Sequence, residues 1–262
     1  MIITSFQNPA IKFIQSLEKP RERRDSGLFV FEGIKELSLA IEGHFDLEKI
    51  FYSSSLILRE EIERMTQGQS VELIEVSKEI FNHLVYRKDI ANVLVLAKQK
   101  KHDFAQVDLP EDALIAVIEG IEKPGNMGAI LRTADAAGVD AVIIADGKTD
   151  IYNPNVIRSS VGCVFTMPIL QASSVDALNF LQKNKFNIFT TYLFTDHYYY
   201  QSNFKGKTAI VFGSEDRGVT DIWLEESIKK IKIPMQGKID SMNVSNSAAI
   251  LLFEAVRQRT KI

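Results

Sequence analysis

Cysteine is nearly absent: Cys163 is the single one in 262 residues. One thiol forms no internal disulfide and supports no cysteine-rich zinc site. The four histidines, His44, His83, His102 and His197, show no metal-ligand spacing, so no metal is expected. No apolar stretch reaches the roughly 18 residues a membrane span needs. The first residues, MIITSFQNPAIK, lack a basic stretch followed by an apolar one, so no secretory signal is expected. An excess of one charge is missing too, because 31 Lys+Arg nearly balance 34 Asp+Glu, for a net charge of −3. That removes a whole-molecule argument for nucleic-acid binding and leaves room for a local basic patch. The expectation is a globular enzyme or binder in the cytoplasm, with no membrane partner.

What is present is ordinary for a folded chain: 45% hydrophobic and 25% charged residues. The length suggests one or two domains. Short apolar runs alternate with helical spacing, which predicts a layered α/β architecture. Strands are expected at 28–31, 47–52, 71–76 and 92–97, with helices at 34–41, 56–66 and 77–85. The charged stretch KQKKHDFAQVDLPED interrupts the pattern and reads as a linker. The expected division is a first domain at 1–98, a linker at 99–112 and a second domain at 113–262. The second opens on ALIAVIE, an apolar run of the kind buried on both faces of a parallel sheet. Further strands are expected at 140–145, 166–170, 187–191, 207–212 and 229–233. Helices are expected at 129–137, 175–183 and 246–259.

Three segments of the second domain look unlike scaffold. In the first, PGNMGAILR, two glycines precede a helix and would let backbone approach a ligand. Asn126 and Arg132 are read as sharing one side of that helix. A tight turn with a surface arginine explains the same residues, and GNMG is not a dinucleotide fingerprint. In the second, FGSEDRG, a strand ends in a charged loop bounded by glycines, a common ligand position in α/β sheets. A solvated turn is the alternative. The third, IPMQGKIDSMNVSN, crowds small polar groups before an apolar helix. Ser245 or Asn246 is expected to cap that helix, which leaves Ser241 and Asn243 unexplained. In the first domain Arg21, Arg23 and Arg24 form a basic cluster, readable as a solvated face or as a phosphate contact.

Taken together and in this order, PGNMGAILRTADAAGVDAVII, IVFGSEDRG and IPMQGKIDSMNVSNSAAILLFEAVRQR resemble the motifs of the SpoU/TrmH-type RNA ribose 2′-O-methyltransferases of the SPOUT superfamily. The start, SFQNPAIKFIQSLEKPRERRDSGLFVFEGIKEL, resembles that family's substrate-binding domain, which is similar to RNA-binding ribosomal proteins. The resemblance implies a parallel-sheet α/β domain with a deep trefoil knot, preceded by a smaller ribosomal-protein-like α/β domain. It implies a homodimer that uses S-adenosylmethionine and no metal. The implied substrate is ribosomal RNA, or else transfer RNA; a non-catalytic RNA binder retaining the fold is the third reading. Donor-binding positions fall on Gly213, Ile233 and Met242. Catalytic positions fall on Asn126, Arg132, Glu215, Ser241 and Asn243. RNA contact is expected at Arg21, Arg23 and Arg24. Lys123 stands where many family members carry Asp.

Overall fold

The computed structural model describes residues 2–87, 90–104 and 107–260. The chain forms two compact units. The first holds residues 1–101 together with 152–166, and the second holds 102–151 and 167–262. Residues 152–166 were expected in the second domain, so the single division read from the sequence is corrected here.

In the first unit, α1 (Pro9–Ser16) and α2 (Pro20–Ser26) precede β1 (Leu28–Glu32) and α3 (Ile34–Glu42). Then come β2 (Leu47–Tyr52), α4 (Arg59–Met65), β3 (Glu72–Glu75), α5 (Lys78–Leu84) and β4 (Val93–Lys98). The sheet order is β1-β4-β2-β3, with β4 antiparallel to both neighbours and β2 parallel to β3. Asn8 caps α1 by accepting from the Ala10 N–H, and both α1 and α2 have proline at their first position. Proline suits that position because its missing N–H would go unused there.

The segment 152–166 joins this unit through aromatic packing. The Tyr152 ring lies tilted against Phe29 at 4.3 Å, and Phe165 lies 4.7 Å from Phe31. Each buried ring contributes on the order of 1.5–3 kcal/mol. Gly43 permits this packing, because a Cβ there would strike the backbone of Phe165. The segment contains α7 (Pro154–Ser159), whose last turn is closed by Val161 in the left-handed region at φ 55°.

Arg23 is fully buried and donates to the carbonyls of Leu17 and Glu18 at 2.6 and 2.9 Å. Its expected contact with RNA is therefore corrected: the guanidinium is committed to satisfying the end of α1. Arg21 and Arg24 remain exposed, at 79% and 77% of their side chains.

The second unit runs β5 (Leu114–Glu119), α6 (Pro124–Ala136), β6 (Ala141–Ala145), β7 (Ile169–Ala172) and α8 (Ser174–Lys183). It continues with β8 (Asn187–Thr191), β9 (Thr208–Phe212), β10 (Lys229–Ile231) and α9 (Val244–Arg259). All six strands are parallel, in the order β10-β8-β9-β5-β6-β7. Every residue of β5, β6 and β9 is buried, as expected for central parallel strands covered on both faces. One face of the sheet packs around Ile115, Val117, Ile143, Val211 and Trp223. α9 packs against α6. Among the described residues no helix is long and apolar enough to cross a membrane.

Candidate active site

Connections leaving the C-terminal ends of β5 and β9 sit side by side, because those strands are neighbours. In open parallel sheets such a junction forms a crevice. The connection after β5 turns at Gly120, at φ 62°, and is pinned when the Thr149 hydroxyl donates to the carbonyls of Ile121 and Glu122, at 2.9 and 2.7 Å. Lys148 donates to Glu122 at 2.6 Å and holds that carboxyl below its ordinary range. The chain then enters α6 at Pro124, five residues earlier than the sequence reading placed it. Asn126 is thus in the first turn of a helix rather than in a glycine loop.

The connection after β9 folds back on itself: the Ser214 N–H donates to the Gly218 carbonyl at 2.9 Å, and the reverse bond is 3.0 Å. Gly213 is required at its base, because a Cβ would run into the backbone of Gly218 and Val219. Its far end is tied down by Glu119, a buried carboxylate at the end of β5. Glu119 accepts from the Thr220 N–H at 2.7 Å, the Thr220 and Ser174 hydroxyls at 2.6 Å each, and Trp223 Nε1 at 2.9 Å. Glu119 went unnoticed in the sequence, although it is the one charged residue of an otherwise apolar strand.

Ahead of α9, Asn243 Oδ1 accepts from the Ser245 N–H at 2.9 Å and so caps the helix. The expected caps, Ser245 and Asn246, are corrected: helix α9 begins two residues before 246, and Asn243, one of the two residues left unexplained, is the cap. Asn243 Nδ2 donates to Asn126 Oδ1 at 3.1 Å, and Asn126 Nδ2 donates to Glu215 Oε1. Three separate segments are thereby joined in one hydrogen-bonded chain. Lys123 approaches the other Glu215 oxygen at 3.9 Å. Lys123, which stands where many members of the family it resembles carry Asp, thus faces the same carboxylate as Asn126.

A cleft of about 630 Å³ opens beside this chain, with Gly213, Glu215, Ile233, Ser241, Met242 and Asn243 in its walls. The three expected donor-binding residues and three of the five expected catalytic residues therefore share one cavity. Asn126 reaches it through Glu215 and Asn243. Arg132 is exposed on α6 and is not part of the cleft wall. A spacing of six residues turns a helix through roughly 600°, leaving Asn126 and Arg132 about 120° apart. The expectation that they share one side is corrected accordingly. The loop Tyr192–Phe194 also lines the cleft, and its apolar residues gave no sequence signal.

Residues 113–253 match the SpoU rRNA Methylase family, and residues 8–94 match an MRM3-like substrate binding domain. The chain is 27% identical over 265 residues to the 23S rRNA (uridine(2479)-2'-O)-methyltransferase of Streptomyces viridochromogenes, covering 98% of this chain and 92% of that protein. It is 34% identical over 177 residues to the 23S rRNA (guanosine-2'-O-)-methyltransferase RlmB of Pectobacterium atrosepticum, covering 67% and 72%. Its fold matches the AdoMet-bound rRNA methyltransferase of Sinorhizobium meliloti with a TM-score of 0.91 at 25% identity, covering 100% of this chain and 99% of the other. The chain belongs to the SpoU rRNA methylase family.

Proposed function

We propose that this protein transfers a methyl group from S-adenosylmethionine to a ribose 2′-hydroxyl of ribosomal RNA. The observation that carries the reading is the Asn243–Asn126–Glu215 chain, set at a cleft whose wall includes a loop that folds back only with glycine at 213. At about 630 Å³ the cleft is in the size range of small-molecule and cofactor sites. Gly213, Ile233 and Met242 are the residues assigned to hold the donor, by backbone approach and apolar contact. S-adenosylmethionine, when bound, supplies a methyl group activated on a sulfonium.

The chain's own residues do the rest by positioning. Asn243 is fixed by its capping bond, so its amide is aimed at Asn126. Asn126 in turn orients Glu215, and Lys123 steadies the second carboxylate oxygen. This arrangement supports Glu215 as the acceptor for a ribose hydroxyl and Ser241, on the cleft wall, as a second polar contact. Arg132 is assigned to the RNA phosphate, for which its planar fork of donors is suited. Holding a hydroxyl in a reactive geometry supplies a large share of the acceleration in such reactions.

Arg132 stands outside its own cleft, which supports a homodimer in which one copy's Arg132 serves the other's site. Exposed apolar side chains of the second unit support the same assembly: Phe194 at 85%, Ile239 at 72%, Phe253 at 47% and Leu193 at 46%. Ribosomal RNA is favoured over transfer RNA by the full-length likeness to a 23S rRNA methyltransferase, and the cytoplasm follows as the compartment. Calorimetric titration of the full chain with S-adenosylmethionine and with NAD tests the reading. One donor molecule per cleft and no response to NAD are expected. A response to NAD, or none to the donor, overturns it.

A further inference from the structure

The first unit contains its own cleft, of about 420 Å³, which no step of methyl transfer uses. Its walls come from β1, from the end of α5 and from α7, all within that unit. At its edge Tyr86 is 76% exposed. So exposed an aromatic contributes little to a core, yet its position is fixed. The Tyr86 N–H donates at 2.7 Å to Glu32, a buried carboxylate. The next residue, Arg87, donates to Glu32 at 3.2 Å and to the buried Glu36 at 2.6 Å. Burial pulls the Arg87 pKa down, but its bonds to Glu36 and Glu32 outweigh that and raise it overall. The backbone carrying Tyr86 is therefore anchored to charged groups inside the unit.

Above the ring lies Arg158 of α7, with its guanidinium carbon 4.2 Å from the ring centroid. Its Nη2 donates to Asn155 Oδ1, which fixes the guanidinium plane. The helix carrying both ends in Val161, a β-branched residue held at positive φ, where glycine is usual. A second ring stands close by: Phe6, 37% exposed, meets His83 of the cleft wall edge-on at 5.1 Å. A rigid, exposed aromatic paired with a planar cation is the means by which proteins hold bases that are splayed out of a helix. A protein partner would instead favour a buried apolar anchor pocket.

We propose that Tyr86 and Arg158 form a stacking site for an unpaired base of the RNA substrate. The inference rests on the reading of the chain as an RNA methyltransferase and adds where the RNA is gripped. It also gives residues 152–166 a role. They lie within the methylase match, but their arginine is delivered to the first unit's surface.

The test uses the full chain with Tyr86→Ala, Tyr86→Phe and Arg158→Ala, titrated with deproteinised 23S ribosomal RNA and with a perfect RNA duplex. Tyr86→Ala is expected to weaken binding to the ribosomal RNA about tenfold, the loss of one stacked base. Tyr86→Phe keeps the ring and binds within about twofold of wild type. Arg158→Ala loses a similar factor, and the double variant with Tyr86→Ala loses less than the product, because the two act as a pair. Duplex binding and donor affinity do not change in the tyrosine variants. Wild-type affinity in Tyr86→Ala overturns the site, and equal loss in the Ala and Phe variants overturns stacking as its basis. A wild-type chain that binds the donor but not ribosomal RNA overturns the RNA reading itself, a separate result.

Discussion

The six-stranded sheet is parallel throughout, whereas the four-stranded sheet mixes directions, and this difference decides where chemistry collects. In the parallel sheet every strand ends on the same edge. Glu119, Phe212 and Ile231 close their strands there, and the connections that follow converge on one cleft. In the mixed sheet β1, β2 and β3 share one direction and β4 opposes them, so the strand ends divide between two edges. The groups that suit RNA sit instead on helices and connections: Arg21 and Arg24 on α2, Tyr86 after α5 and Arg158 on α7. Proposed chemistry and proposed grip therefore separate by unit, and each can be disturbed without the other.

The largest separation is expected from Arg132→Ala. Methyl transfer should fall by about 10²–10³ or more, as when an oriented donor is removed from a reacting centre. Donor affinity, read by calorimetry, should stay within about twofold. Arg132→Lys keeps the charge but loses the planar fork, so it should remain clearly deficient. Normal turnover in the alanine variant would break the assignment of Arg132 to the site.

Glu119→Ala is expected to act on the second unit alone, through stability. It strips the acceptor from the Trp223 and Thr220 N–H groups and from the Ser174 hydroxyl, at a cost of about 3 kcal/mol. Glu119→Gln should cost less, because its carbonyl still accepts while its amide opposes the Thr220 N–H. Denaturant midpoints check both, and an unchanged midpoint for Glu119→Ala would contradict the anchoring role. Gly213→Ala should force the β9 connection out of shape, at about 1–3 kcal/mol of stability, the usual cost of overpacking, and weaken donor binding as a consequence. RNA affinity should be untouched by that change.

The smallest effects sharpen the comparison within the first unit. Arg23→Ala should destabilise by about 2 kcal/mol, through buried carbonyls left without a donor, and leave the salt dependence of RNA binding alone. Arg21→Ala and Arg24→Ala should do the reverse, each flattening the salt slope by about 1 with no change in stability. Three arginines that look equivalent in sequence should thus divide into one that holds the fold and two that meet solvent.

Strands were legible where an apolar run was bounded by polar residues: β2 and β8 lie at the expected residues, 47–52 and 187–191. Helix starts were less so. In α6 the glycines at 125 and 128 suggested a loop, yet Pro124 at the first position was the better sign. The same sign opens α1, α2 and α7, at Pro9, Pro20 and Pro154. The spacing of six between Asn126 and Arg132 was read without its angle. Arg23 could not be told from Arg21 and Arg24, because burial depends on where α1 ends and not on local charge. The allegiance of 152–166 was hidden for a similar reason: Tyr152 and Phe165 pack against Phe29 and Phe31, partners more than 120 residues away in the chain. A cut in the linker would strip those rings of their packing, so donor binding is best measured on the whole chain.

The cleft joined by Asn126, Glu215 and Asn243 is proposed to direct a methyl group to a ribose oxygen. Its most direct test is to incubate unmodified ribosomal RNA with the full chain and S-adenosylmethionine carrying a deuterated methyl group, then digest the RNA and weigh its nucleosides. The expected result is label on the ribose of a single nucleoside type, and none with Arg132→Ala. Label on a base, or equal label with the alanine variant, would contradict it.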